Sequence, residues 1–376
     1  MGKFLPRGAR PVMTPWILLA LLAFAQCLAL GLLLMPWARG QGPRLGLMDR
    51  PAAARKIHHK PTPLSGGLAI FPAFWAALWV NVLVAVLIIP ALWFLPEPVR
   101  VLAGNVVLRL DMLAGVFAGC AIIFVLGLLD DRYDLPPLLR LGVQVAATFP
   151  VLAAGVSFQV VDVWWVAWPL TVFWLVLLTN SLNFLDNMNG LTSGVTIIVC
   201  LVMAIIALLF REWYMLLIFA MLAGAVLAFW FHNFPRASVF LGDNGSTHLG
   251  FLLGSLAILT TYYEEGDPSR LPVLIPLLVL GVPLFDTLSV LWIRWKARRP
   301  LMVGDTNHLS HRLVALGMSR TEAVLFIYLA TLVVGLAAIP LRILDWRHGM
   351  LQTALIVLIF LLLHWLERVS YRTRRS

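Results

Sequence analysis

Apolar runs long enough to cross a bilayer recur along nearly the whole chain, and no other feature limits the fold as severely. Windows of roughly 17 to 25 apolar residues mark spanning helices. About eleven stand out, at 16–37, 67–95, 111–129, 139–156, 161–179, 191–210, 214–231, 247–262, 271–293, 322–341 and 350–366. Backbone groups in hydrocarbon must be satisfied inside the protein, so only helices or closed barrels span, and no alternating barrel pattern is visible. The expected fold class is all-α, a polytopic integral membrane bundle of about eleven transmembrane helices. The first run follows Lys3, Arg7 and Arg10, as a signal peptide would. It is longer than a signal h-region and no small-x-small site follows, so it is retained here as a span; its removal would leave about ten.

Composition agrees. Of 376 residues, 61% are hydrophobic and 12% charged, where a soluble domain carries about a quarter charged. Bilayer must therefore be the solvent for most of the surface. In that setting the net charge of +10 is a topology and anionic-lipid signal, and it gives no support to nucleic-acid binding. Cys27, Cys120 and Cys200 lie far apart in apolar runs, without metal-ligand spacing, and read as packing residues. No linker or low-complexity stretch interrupts the chain, so residues 1–376 read as one domain.

Charge also orients the bundle. If segment 38–66 is cytoplasmic, its side collects most of the 28 Lys and Arg residues, while the other side holds the acidic loop at 264–267. The bias places the N-terminus outside and the C-terminus inside, with Lys3, Arg7 and Arg10 as the exception. The polar segments at 49–67, 130–136, 180–190, 232–247 and 304–313 follow alternate spans, so they fall on one membrane face, the cytoplasmic one.

Each polar segment carries a chemical signature. Asp130 and Asp131 end a span in Phe124-Val-Leu-Gly-Leu-Leu-Asp-Asp-Arg-Tyr-Asp134; adjacent carboxylates at a membrane edge repel unless a cation or proton transfer offsets them. A solvated helix end is the bland alternative. Thr179-Asn-Ser-Leu-Asn-Phe-Leu-Asp-Asn-Met-Asn-Gly190 contains Asn180, Asn183, Asp186, Asn187 and Asn189. Spacing predicts Asn180, Asn183 and Asn187 on one helical face, offering oxygen ligands for magnesium or partners for a pyrimidine edge. Phe240-Leu-Gly-Asp-Asn-Gly-Ser246 puts Asp243 in a small-residue turn before a helix, suited to a metal-bound phosphate or merely to a cap. Asp305-Thr-Asn-His-Leu-Ser-His-Arg312 sets His308, His311 and Arg312 together, a set better suited to phosphate than to zinc. Arg55-Lys-Ile-His-His-Lys60, closing in Gly66-Gly67, is either an anion loop or the topology signal itself. Without a P-loop or nucleophile elbow, the set favours magnesium-assisted phosphoryl chemistry.

The order of these motifs, from about Asp49 to Gly317, resembles the polyprenyl-phosphate N-acetylhexosamine-1-phosphate transferase superfamily. That resemblance implies ten or eleven spans and a cytoplasmic cleft in a bacterial inner membrane. It implies Mg2+, with Mn2+ as a substitute, and a UDP-sugar and a polyprenyl phosphate as substrates. A homodimer is a further implication. By the same resemblance Asp130, Asp131, Asp186, His308 and His311 are catalytic, and Asp243 and Asn183 hold the metal. Substrate contacts fall to Lys56, Lys60, Asn180, Asn187, Asn189 and Arg312, with Phe240 stacking on uracil. His308-Leu-Ser-His-Arg312 is similar to the GlcNAc-1-phosphate branch. The pentapeptide transferases, with three consecutive histidines, are the runner-up. Two departures stand out: Ser310 replaces a further histidine, and Asn187-Met-Asn189-Gly replaces Asp-Gly-x-Asp-Gly. An inactive scaffold would follow if these abolish function, whereas a transporter would need midplane charges and paired repeats.

Overall fold

The computed structural model describes residues 13–49, 61–92, 94–95, 97–158, 163–262, 267–300 and 307–373. Helices dominate: α1 (Met13–Leu45), α2 (Gly67–Leu87), α3 (Glu97–Asn105), α4 (Leu110–Tyr133), α5 (Pro137–Ala153), α6 (Trp164–Leu185) and α7 (Leu191–Leu209). They continue as α8 (Trp213–Asn233), α9 (Asp243–Leu259), α10 (Ile275–Val279), α11 (Gly281–Lys296), α12 (Leu309–Ala315), α13 (Arg320–Ala338) and α14 (Trp346–Thr373). Each apolar window of the sequence holds a helix among the described residues, although the window at 271–293 is divided between α10 and α11. The number of spans is smaller on strict length: seven helices among the described residues are long and apolar enough to cross, or eight if the α10–α11 pair, bent by 70°, is one span. Helices α5 and α9 have 17 residues each, a rise of about 25 Å against a hydrocarbon core of about 30 Å.

Helix α9 is short because it is an interior element. Every residue from Asn244 to Ala257 is buried, and the helix packs against α2, α4 and α6. Its burial lets it carry Asn244, Ser246, Thr247, His248 and Ser255, side chains that lipid would not accept without partners. Helix α8 is a second interior element, packed between α1 and α7. The outer helices turn Leu18, Leu21, Leu22, Leu83, Leu329 and Val333 outward, an apolar surface that only a bilayer solvates.

Two points of close approach place the polar ends. Gly127 of α4 lies so near α9 that a Cβ there would sit 2.4 Å from Asn244 Cα. Strand β1 (Met48–Asp49) pairs antiparallel with β2 (Thr62–Pro63), and the chain beyond β2 bonds to the turn before α9. The Phe240 amide donates to the Pro63 carbonyl at 2.8 Å, and the Gly66 amide donates to the Phe240 carbonyl at 2.9 Å. The starts of α2 and α9 are therefore held together by backbone bonds.

Candidate active site

The start of α9 organises the site. Gly242 precedes it with φ +75° and no side chain to cap the helix, so the exposed amides need an acceptor from elsewhere. Asp131, in the last turn of α4, supplies it: Oδ1 accepts from the Asp243 amide at 2.8 Å and Oδ2 from the Asn244 amide at 3.0 Å. The Asn244 side chain adds a third donor and also donates to the Leu64 carbonyl at 2.9 Å. A carboxylate at a helix N-terminus is favoured by the dipole as well as by the bonds. A Cβ on Gly242 would come within 2.8 Å of Asp131 Oδ2, so glycine is required both by conformation and by the approach of this carboxylate.

Adjacent Asp130 faces a different partner. It is buried, accepts from the Leu135 amide at 2.8 Å, and pairs with Arg140 Nη1 of α5 at 2.7 Å. The same guanidinium nitrogen lies 3.8 Å from Asp243 Oδ2. Asp243 Oδ1 accepts from the Asn183 amide at 2.8 Å, and Asn183 also reaches Ser246 Oγ at 3.1 Å. Thus α4, α5, α6 and α9 meet at Asp130, Arg140, Asn183 and Asp243. Burial holds the Asp243 carboxyl well above the usual carboxylate range, and the charges of Asp131 and Asp130 push it further the same way. Burial also raises Asp186 to about 7, with the charge of Asp131 adding to it.

The amide-rich segment divides at the helix end. Helix α6 stops at Leu185, so the predicted shared face of Asn180, Asn183 and Asn187 is corrected: Asn187 lies in the turn beyond, donating to the Phe184 carbonyl at 2.8 Å. After Leu185 the chain tightens into a turn, with the Asp186 amide donating to the Asn183 carbonyl at 3.1 Å and the Asn187 amide to the Leu185 carbonyl at 2.8 Å. Gly190 (φ +76°), its amide bonded to the buried Asn233, opens α7. Asn180 exchanges bonds with Gln144 of α5, at 2.7 and 3.4 Å, and Asn189 donates to the Pro235 carbonyl at 3.2 Å. Phe240 is partly buried, its main chain fixed against Pro63.

The histidine motif joins the same network. His308 is buried, with Nδ1 2.8 Å from Asp286 Oδ2 of α11. Asp286 also accepts from the Leu309 amide. Arg312 donates to Ser289 Oγ at 2.8 Å and lies 3.9 Å from Asp286. The Phe184 ring stands between His308, at 5.9 Å, and the buried Arg294 guanidinium, at 5.4 Å. Ser310 donates to Asn187 Oδ1, so the two departures from the family pattern touch each other. His311 is partly buried beside this group. Lys56 and Lys60 lie outside the described residues.

Sequence reasoning passed over Arg140, Asp286 and Arg294. A lone carboxylate inside the apolar run 271–293 was the available signal for Asp286. Arg140 and Arg294, read in sequence, signal no more than the basic bias of the cytoplasmic face.

Comparison with known proteins follows this geometry. A family profile described as glycosyl transferase family 4 matches residues 113–261. A Bacillus subtilis protein, described as a probable undecaprenyl-phosphate N-acetylglucosaminyl 1-phosphate transferase, is 31% identical over 85% of this chain and 84% of its own. The chain belongs to glycosyl transferase family 4. Another relative in that family is the decaprenyl-phosphate N-acetylglucosaminephosphotransferase of Mycolicibacterium smegmatis, 32% identical over 78% of this chain and 75% of its own. A phospho-N-acetylmuramoyl-pentapeptide-transferase of Desulforudis audaxviator is 30% identical over 87% and 99%. The matched stretch of the family profile contains the Asp130–Arg140–Asn183–Asp243 cluster and stops short of the histidine motif.

The donor set suits magnesium. Among the described residues no three His, Cys, Asp or Glu side chains form a ready cage. Magnesium rarely uses one, binding instead through one or two carboxylates, waters and substrate phosphates. The crowded carboxylates, compensated by Arg140, present oxygen donors to such an ion.

Proposed function

We propose that this chain transfers an N-acetylhexosamine 1-phosphate, GlcNAc-1-phosphate by likeness to its relatives, from a UDP-sugar to a polyprenyl phosphate, with release of UMP. The observation that carries the reading is the convergence of Asp130, Arg140, Asn183 and Asp243 at the start of α9. The relatives' names support the substrates.

Asp243 and Asn183 are the residues that would hold Mg2+, which would neutralise charge on the pyrophosphate. Asp131 keeps Asp243 in place through the α9 amides. Arg140 offers a guanidinium fork to the acceptor phosphate, with Asp130 orienting it. An oxygen of that phosphate attacks the sugar-proximal phosphorus, the bond to the UMP oxygen breaks, and UMP leaves with the electron pair. A phosphate monoester, with a second pKa of about 6, is already largely dianionic at neutral pH. Asp130 therefore has little proton to remove, and its work is positional. His308, oriented by Asp286, and Arg312 stand ready for the nucleotide or sugar phosphates. The basic bias supports a cytoplasmic site in a bacterial plasma membrane.

The test is UMP release by the purified chain with undecaprenyl phosphate, magnesium and a panel of UDP-sugars. Release with UDP-GlcNAc that disappears with EDTA and in Asp243→Ala is the expected result. Release only with UDP-MurNAc-pentapeptide would move the chain to the pentapeptide branch. No release with any donor would refute transferase activity and favour a scaffold.

A further inference from the structure

Helix α12 carries the histidine motif on only seven residues, and polar contacts with two neighbouring elements hold it. On α11, Asp286 accepts from the Leu309 amide and meets His308 Nδ1 at 2.8 Å, and Ser289 accepts from Arg312 at 2.8 Å. In the turn between α6 and α7, Asn187 Oδ1 accepts from the Ser310 hydroxyl. Ser310 is 1% exposed, so no ligand reaches that hydroxyl while α12 stays in place. Its bond to Asn187 offsets the cost of burying it.

Asn187 is held at both ends of its carboxamide. Nδ2 donates to the Phe184 carbonyl at 2.8 Å, while Oδ1 accepts from Ser310. Phe184 adjoins Asn183, whose side chain donates to Asp243 at 2.8 Å, and the Phe184 ring lies 5.9 Å from His308. The turn is itself a fixed post: Asn233 of α8 accepts from the Gly190 amide, and the Tyr328 hydroxyl of α13 donates to the Gly190 carbonyl. A short route of bonded groups therefore runs from α12 through Ser310, Asn187 and Phe184 to the carboxylate cluster.

One neutral hydrogen bond adds little to the stability of a chain, whereas a misplacement of about 1 Å costs on the order of a hundredfold in rate. The Ser310–Asn187 bond should therefore register in turnover far more than in folding. We propose that Ser310 and Asn187 act as one positioning pair, which ties α12 to the end of α6 and so fixes His308 and Arg312 relative to Asn183 and Asp243. This rests on the transferase reading above, and it makes Asn187 a support of the site in place of a substrate contact. Both residues depart from the pattern that the sequence resembles; joined by a bond, the two departures are one matched change.

The test measures UMP release by the purified full chain with undecaprenyl phosphate, magnesium and the UDP-sugar that supports wild-type release. Ser310→Ala, Ser310→Cys, Asn187→Ala and the double Ser310→Ala/Asn187→Ala are compared. Cysteine is close to serine in size but a weak donor, so it weakens the bond without opening a cavity. Each single change is expected to lower kcat about tenfold, with unfolding midpoints and UDP-sugar KM near wild type. The double is expected to match the singles, because both remove the same bond. Wild-type kcat in the two Ser310 variants, or losses that multiply to about a hundredfold in the double, would overturn the pair. A UDP-sugar KM raised in Asn187→Ala and unchanged in the Ser310 variants would make Asn187 a donor contact instead. Midpoints that fall in step with kcat would reduce the pair to an element of the fold and would overturn its positioning role too. A wild type that releases no UMP with any donor sinks the transferase reading itself, whereas release indifferent to the pair sinks only the pair.

Discussion

Replacing Asp131 should unseat the start of α9 and, with it, Asp243. The carboxylate accepts from two main-chain amides and from the Asn244 side chain. A hydrogen bond to a charged group contributes about 1.5–3 kcal/mol, and charge at a partly buried helix terminus adds up to about 2 kcal/mol. These terms overlap, and an alanine leaves the Asn244 amide buried without an acceptor, so Asp131→Ala is expected to cost about 3 kcal/mol. Asparagine keeps one acceptor oxygen but turns an NH2 toward an amide donor, for about 2 kcal/mol. At roughly 2 °C per kcal/mol for a chain of this length, the alanine variant should unfold about 6 °C below wild type. Tryptophan fluorescence on heating in detergent measures this, and UMP release on the same sample should fall on the order of a hundredfold as Asp243 loses its position. An unchanged unfolding midpoint with turnover near wild type would refute the argument. Lost turnover at an unchanged midpoint would instead mean that Asp131 acts on substrate and not on α9.

The other expectations concern separate contacts. Gly127→Ala drives a Cβ to 2.4 Å from Asn244 Cα, an overpacking cost of about 1–3 kcal/mol or more; midpoint and turnover should drop together, and a tolerated alanine would disprove the close approach. Asp286→Asn removes the charged partner of His308, and turnover should fall by a factor on the order of 10 to 100 with a smaller change in UDP-sugar KM; steady-state kinetics near wild type would exclude an orienting role. Asp186 ionises near 7 because burial raises it. It is neutral below that pH and charged above, so if its carboxylate is needed the rate should climb through pH 7. Asp186→Asn should flatten that limb, and an identical pH profile in the variant would show that Asp186 takes no part.

The fold was legible because spanning helices carry their evidence locally. Each apolar window holds a helix among the described residues, with 271–293 divided between α10 and α11, and the adjacent aspartates, the Asp243 turn and the histidine motif are visible as polar interruptions in apolar sequence. Helix α9 shows the limit of such reading. Its glycines and hydroxyl side chains resemble a weak span, yet it is among the most buried helices, because neighbours rather than lipid surround it. Asn187 shows another: i, i+3, i+7 spacing assumes that a helix continues, and α6 stops at Leu185 in a tight turn that leads into α7 at Gly190. Arg140 and Asp286 were legible as residues but not as site members, since what defines each is a partner on another helix.

The sequence by itself determined the class, the helices and the chemical inventory, because hydrocarbon imposes its demands residue by residue and ionisable groups near it must have a reason. Only the tertiary structure decided which carboxylate does which work. Asp130 and Asp131 are neighbours in sequence, but successive residues on a helix point about 100° apart. One therefore reaches Arg140 on α5 and the other the amides of α9. That division depends on where α5 and α9 pack, which no local pattern encodes.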